Sequence, residues 1–264
     1  MALMTRMTEH YEESLKYFKK DQIVGLFCQG SQNYNLDTPS SDLDTKLIVT
    51  PTFKEIALAR KPVSTTHVRA NEEHIDFKDI RLYCETFYKQ NLNFLEILFT
   101  ESYILNSLYA EQWTRLIEKR ELIARMNPVR GIKSMYGIAL EKYHALEHPY
   151  PSKIHLIEKY GYDAKQLSHL ARVRIFLEHF LKDEPYEECL IPKEEEHAYI
   201  MTLKTNYFPL ETARSLAETE KAEVEALYEP YKSMASEENS EARELLEDVS
   251  YNIMKIAVEK ELNV

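Results

Sequence analysis

At 264 residues, with hydrophobic side chains at 44% and charged ones at 29%, the chain has the make-up of an ordinary globular protein with a sizeable core. Its formal net charge of −11 argues against a protein that grips long nucleic acid through a basic stripe, so any contact with RNA or DNA is expected at a short end or a single nucleotide. No apolar run reaches the roughly 18–20 residues that span a bilayer, and the N-terminus lacks a signal-peptide pattern. The three cysteines, Cys28, Cys84 and Cys189, are scattered and without metal-site spacing, which predicts a reducing, cytoplasmic setting.

Residues 7–20 read as an amphipathic helix, and the apolar run over 22–28 as a first strand. A Gly-Ser turn follows at Gly30–Ser31, then turn chemistry at Thr38-Pro39-Ser40-Ser41, then a second strand over 43–50 closed by Pro51. A helix is predicted over 53–59. Residues 72–80 alternate polar and apolar as a third strand, and helical spacing continues to Tyr88. Beyond Asn91 the pattern is helical over 93–99, 108–126, 128–146, 164–181, 210–228 and 240–262. The chain has five glycines and none beyond Gly161, as long helices with few tight turns require.

The chemistry concentrates in Gly30-Ser31 and Ser41-Asp42-Leu43-Asp44. Residues two apart on a strand face one side, so Asp42 and Asp44 project together beside the turn. The turn offers backbone N–H groups and the Ser31 hydroxyl to phosphate oxygens, while the carboxylates offer hard oxygen ligands to a divalent ion. Asp76, between apolar Ile75 and Phe77, is the candidate third carboxylate on the next strand. Like-charged carboxylates brought together need a cation, so the three acids imply one or two divalent ions of the kind that serve nucleotidyl transfer. Lys46, on the same strand face as Asp44, either neutralises the acids, contacts a phosphate or points to solvent.

These residues resemble the DNA polymerase β-like nucleotidyltransferase superfamily, in the branch of predicted nucleotidyltransferases linked to RNA repair. Gly30, Ser31, Tyr34, Leu36, Thr38, Pro39, Ser41, Asp42 and Asp44 fit that branch's turn motif, and its third carboxylate falls on Asp76. Asn91–Phe99, Tyr136-Gly137 and Ile191-Pro192 extend the likeness, which covers about residues 22–230. Lys165, His169 and Arg172 resemble the family's Lys-x-x-x-His-x-x-Arg motif. Asn35 departs from a family glycine and Leu92 from a family proline; Asn tolerates left-handed backbone well enough for the turn to survive.

Spaced four and three apart, Lys165, His169 and Arg172 share one helix face, either a solvated face or, as the resemblance implies, a phosphate-binding one. Arg174 lies nearly opposite and is expected to make an ion pair or face solvent. Glu96, among apolar neighbours, is expected to cap a helix or pair with a buried Arg. Arg174 and His179 would lie about 140° apart on a helix, so their likeness to an RNase signature is taken as chance.

The expected fold is therefore α+β, with a nucleotidyltransferase core over 1–125, a short mixed sheet with helices, and a helical domain over 126–264 closing over the nucleotide. The expected activity transfers a nucleoside monophosphate from an NTP, with ATP as first choice, to a hydroxyl acceptor such as an RNA or tRNA 3′ end, releasing pyrophosphate. Mg²⁺ or Mn²⁺ would be held by Asp42, Asp44 and Asp76. Gly30, Ser31, Lys165, His169 and Arg172 would bind nucleotide. The alternatives are transfer to a protein or small molecule, as in antitoxin-type enzymes, or nucleotide binding without catalysis.

Overall fold

The computed structural model describes residues 3–263 and is of mixed α+β class. In chain order the elements are α1 (Leu3–Ser14), β1 (Ile23–Gln29), β2 (Asp44–Val49), α2 (Phe53–Ala57), β3 (Ser64–Val68), β4 (His74–Asp79), α3 (Ile80–Tyr88), α4 (Leu92–Leu95) and β5 (Tyr103–Leu105). Then come α5 (Ala110–Glu118), α6 (Arg120–Ala124), α7 (Pro128–Ala145), α8 (Ile154–Tyr160), α9 (Ala164–Leu181), α10 (Tyr186–Leu190), α11 (Glu194–Thr205), α12 (Leu210–Tyr228) and α13 (Ser240–Leu262).

The strands form one mixed sheet in the order β3-β4-β2-β1-β5, with β2 and β4 parallel and the other neighbours antiparallel. Strand β4 alternates as predicted: Ile75 and Phe77 are buried while His74, Asp76 and Lys78 are partly exposed. On the buried side, Ile75 and Phe77 join Leu26, Cys28, Leu43, Leu47, Val49 and Met7 of α1 in one core, with Tyr11 and Phe18 packed against it. On the other side Phe27 packs against Trp113 of α5 at a ring separation of 4.6 Å.

The chain divides into two compact units. One comprises residues 1–33, 37–127 and 238–264; the other comprises 128–237 together with Tyr34–Leu36. The second unit begins two residues from the expected boundary, but α13 belongs to the first, where a helical domain running to 264 was expected. The reason lies in its apolar stripe. Ala242, Leu246, Val249, Ile253 and Ala257 are buried, α13 packs on α5, α3 and α6, and Arg115 pairs with Asp248 at 2.7 Å.

The second unit is all helical, with α7, α11 and α12 packed around α9. Helix α9 is capped by Asp163, whose carboxylate accepts from the Lys165 N–H at 2.9 Å. Its far end is tied by His179, which contacts Glu184 at 2.7 Å and Glu196 at 2.8 Å. Arg174 forms the ion pair expected of it, with Glu220 at 2.7 Å and Glu178 at 2.8 Å.

Several elements differ from expectation. The first helix starts at Leu3 and ends at Ser14. The segment 108–126 is two helices, and 93–99 is one turn of α-helix continued as a 3₁₀ turn. The short helices α8, α10 and α11 and the strands β3 and β5 had no sequence signal. Among the described residues no helix is long and apolar enough to cross a membrane, and the three cysteines are buried and form no disulfide.

Candidate functional site

Strand β1 ends at Gln29, and Gly30 turns the chain at φ +81° into a 3₁₀ turn over Gly30–Tyr34. A Cβ at Gly30 would stand 3.8 Å from Asp44 Oδ2, so the turn and the first residue of β2 face each other. Leu43 is fully buried in the core, while on either side of it Asp42 is exposed and Asp44 half-buried. Among the described residues the Asp42 carboxylate and the Ser31 hydroxyl have no hydrogen-bond partner, whereas Asp44 Oδ1 contacts His74 Nδ1 at 2.9 Å.

Register explains the rest of the site. Gln29 pairs with Asp44, Asp44 with His74, Lys46 with Asp76, and Asp76 with Thr66, so these side chains line one face of the sheet. Asp76 accepts from Gln29 Nε2 at 3.1 Å and from Thr66 Oγ1 at 2.5 Å. Lys46 donates to the Gln29 side-chain oxygen and lies 4.7 Å from the Phe94 ring centroid. Of the three placements open to Lys46, pointing to solvent is ruled out, since the residue is 4% exposed. Burial lowers its affinity for a proton, against the opposing pull of Glu96, Asp76 and Asp44.

Among the described residues Glu96, only 3% exposed, meets no arginine. Its Oε2 accepts from the Gly30 N–H at 3.2 Å and from Asn33 Nδ2 at 3.3 Å, so it anchors the turn from beneath. The Gly30 N–H is thereby occupied, which leaves the Ser31 side as the donor that the turn can offer a phosphate.

The expected cluster of three carboxylates is not assembled: among the described residues no group of three or more His, Cys, Asp or Glu side chains is arranged to hold a metal ion. Asp76 is turned to Gln29 and Thr66 instead. The donor chemistry of Asp42 and Asp44 still fits Mg²⁺, which commonly takes one or two carboxylates and completes its shell with substrate phosphates and water.

In the helical unit Lys165 is exposed, His169 partly exposed and Arg172 buried, all on one face of α9. The Arg172 guanidinium lies 3.9 Å from the centroid of the Tyr34 ring. Beside Tyr34, the Asn35 carbonyl accepts from His197 Nε2 at 2.8 Å and the Leu36 carbonyl from Lys204. Asn35 holds φ +55°, the left-handed conformation in which Asn is the best substitute for Gly. The His169 pKa is held well below its ordinary value by burial first, then by Arg172, Lys165, Lys142 and Lys204. Every charge in that list is positive. Lys142 and Lys204 carried no motif in the sequence, and neither did Gln29, Thr66 or His74, although His74 sits two residues before Asp76 on an alternating strand.

No protein-family model matches the chain, and no curated protein matches it in sequence.

Proposed function

We propose that the chain is a metal-dependent nucleotidyltransferase on a polymerase β-like core, transferring a nucleoside monophosphate from an NTP to a hydroxyl acceptor. The observation that carries this reading is Asp42, an exposed carboxylate without a hydrogen-bond partner among the described residues, two positions before Asp44, which faces a Gly-Ser turn with an unused hydroxyl. Such a pair, open to a ligand and short of a cation, suits the phosphates of a nucleotide carrying Mg²⁺ or Mn²⁺.

In this reading Asp42 and Asp44 hold the ion together with the triphosphate, and Ser31 donates to a phosphate oxygen. The ion, when bound, neutralises charge on the reacting phosphate. The acceptor oxygen forms a bond to the α-phosphorus as the bond to the β-phosphate oxygen breaks, and pyrophosphate leaves with that electron pair. Asp76, oriented by Gln29 and Thr66, takes the acceptor's proton. In the second unit, Lys165, His169 and Arg172 of α9, with Lys142 of α7 and Lys204 of α11 close enough to act on His169, make a cationic group suited to phosphate.

An RNA or tRNA 3′ end is the favoured acceptor, ATP the favoured donor. The net charge of −11 gives some weight to a protein or small-molecule acceptor instead. Incubation with each labelled NTP, Mg²⁺ or Mn²⁺, and either total tRNA or cell lysate tests the reading. Label on RNA supports the first acceptor and label on protein the second. Nucleotide binding without turnover under any of these conditions rejects the enzyme.

A further inference from the structure

Behind the two acids lies a charge cluster that the reaction as described does not use. Its centre is Glu73, which follows the β3–β4 turn and is 4% exposed. Its Oε1 accepts from Arg6 Nε at 2.8 Å and Arg6 Nη2 at 2.5 Å. Its Oε2 accepts from His10 Nε2 at 2.9 Å and from Arg69 Nη1 at 2.6 Å. Arg6 and His10 stand four residues apart on α1 and therefore share a face.

Each of these two α1 side chains has a second bond. Arg6 Nη2 also donates to the Ser41 carbonyl at 3.2 Å, and His10 Nδ1 contacts Thr45 Oγ1 at 2.9 Å. Ser41 directly precedes Asp42, and Thr45 directly follows Asp44. An ionised carboxylate only accepts, so Nε2 carries the proton toward Glu73. Burial holds His10 below its ordinary pKa, so the ring is neutral at pH 7 and Nδ1 accepts from the Thr45 hydroxyl.

We propose that Glu73 is a positioning residue for Asp42-Leu43-Asp44, acting through Arg6 on one side of the segment and through His10 on the other. The proposal rests on the reading that Asp42 and Asp44 hold a metal–nucleotide complex. Apolar contacts could dock α1 on the sheet at no greater cost, since well-packed hydrophobic residues often equal or better a buried ion pair. What apolar contacts cannot do is aim a carbonyl and a hydroxyl. Directional bonds at Ser41 and Thr45, with Leu43 sunk in the core between them, fix the backbone at both ends of the acid pair. Outer partners of this kind set the orientation of ligating carboxylates.

The test is calorimetric titration of Mn²⁺ with α,β-methylene-ATP into the full chain, alongside thermal melts without metal. Thr45→Val removes the hydroxyl at nearly constant volume, and Arg6→Gln, at a partly exposed position, serves if the first variant does not fold. Each is expected to weaken binding about ten- to hundredfold, the usual range for loss of an outer-shell partner. Thr45→Ser, which keeps the hydroxyl, should restore binding to near the wild-type level. Wild-type binding that Thr45→Val and Arg6→Gln leave unchanged, with only their melting temperatures lowered, overturns the positioning role alone. Failure of the wild type to bind the Mn²⁺ complex more tightly than the metal-free nucleotide overturns the metal reading and this proposal with it.

Discussion

Arg172 and Tyr34 form a cation–π pair, the guanidinium 3.9 Å from the ring centroid, in which the arginine is 7% exposed and meets no carboxylate among the described residues. Two residues on, Arg174 is the opposite case, paired with Glu178, Glu220 and Glu223. One helix thus carries an arginine whose charge is left available to an anion and another whose charge is consumed by its neighbours.

The two should respond differently to truncation. Arg172→Ala is expected to raise the KM for NTP about ten- to hundredfold, the value of a charge-assisted contact of roughly 1.5–3 kcal/mol. Arg174→Ala should leave KM near wild type but lower stability by about 3–5 kcal/mol, because it strands Glu220, which is 2% exposed. Steady-state kinetics and urea melts on both variants separate the effects. A KM change in Arg174→Ala without one in Arg172→Ala would reject the phosphate face.

Asp42→Asn is expected to abolish transfer and to leave the metal-free melting temperature within the scatter of a surface change, about ±0.5 kcal/mol. Asp44→Asn should abolish transfer too, with a somewhat larger loss of stability because its carboxylate also meets His74. In the wild type, Mg²⁺ with NTP at a hundredfold excess over Kd should add about 2.7 kcal/mol, and either variant should lose that gain. Transfer retained by either variant removes the metal reading.

Glu73 makes a pH prediction. Burial raises its pKa, but hydrogen bonds from His10, Asn71 and Arg6 outweigh that and bring it down to about 2 from an ordinary 4.5. A depressed carboxylate contributes stability that is full above 4.5 and lost as the pH falls toward 2. His10, also depressed, works in the same sense, its contribution fading below its ordinary value of 6.5. Acid unfolding followed by circular dichroism should therefore be shallower between pH 4.5 and 2 in Glu73→Gln, which begins less stable. Parallel acid curves for variant and wild type would contradict the linkage.

The thiols should be silent in the native protein. Burial first, then nearby acids including Glu96 and Asp44, pushes Cys28 up to about 12, and burial pushes Cys84 up to about 11. Cys189 is 4% exposed. Thiol titration at pH 8 is expected to find almost no reactive group until denaturant is added, and three afterwards. Rapid native labelling at Cys28 would mean that β1 opens far more readily than its complete burial allows.

What could be read from the sequence follows from how local each signal is. The helices 164–181, 210–228 and 240–262 match their predicted limits because caps and period agree: Asp163 and Asn239 accept from the first turns of α9 and α13, and Pro209 precedes α12. Strand β3 could not be seen because Ser64-Thr65-Thr66-His67-Val68 forms an exposed edge and needs no apolar alternation. The single helix expected over 108–126 breaks at Lys119, where neither Gly nor Pro marks the change.

The site divides in the same way. The places of Asp44 on β2 and Asp76 on β4 were legible through strand alternation, whereas Asp42 falls just before β2; Asn35 keeps the turn because it accepts the left-handed backbone that a glycine would supply. The pairing of Asp76 with Gln29 and Thr66, the burial of Lys46 and the gathering of Arg6 and His10 on Glu73 were not legible. They depend on register and on contacts 67 and 63 residues apart in the chain, which no local spacing encodes.

The return of α13 to the first unit bears on how the chain is made. Strand pairing and the Asp42–Asp44 segment are synthesised early, yet the faces of α3 and α5 that α13 covers stay bare until residue 262 has left the ribosome. At about 5–20 residues per second, that leaves several seconds in which residues 128–237 can complete their own helices first. The unit that carries the acids is thus the last to close. A ribosome stalled between β5 and α13 would hold a chain with all five strands already made but with an apolar flank still open to chaperones or to a neighbouring nascent chain.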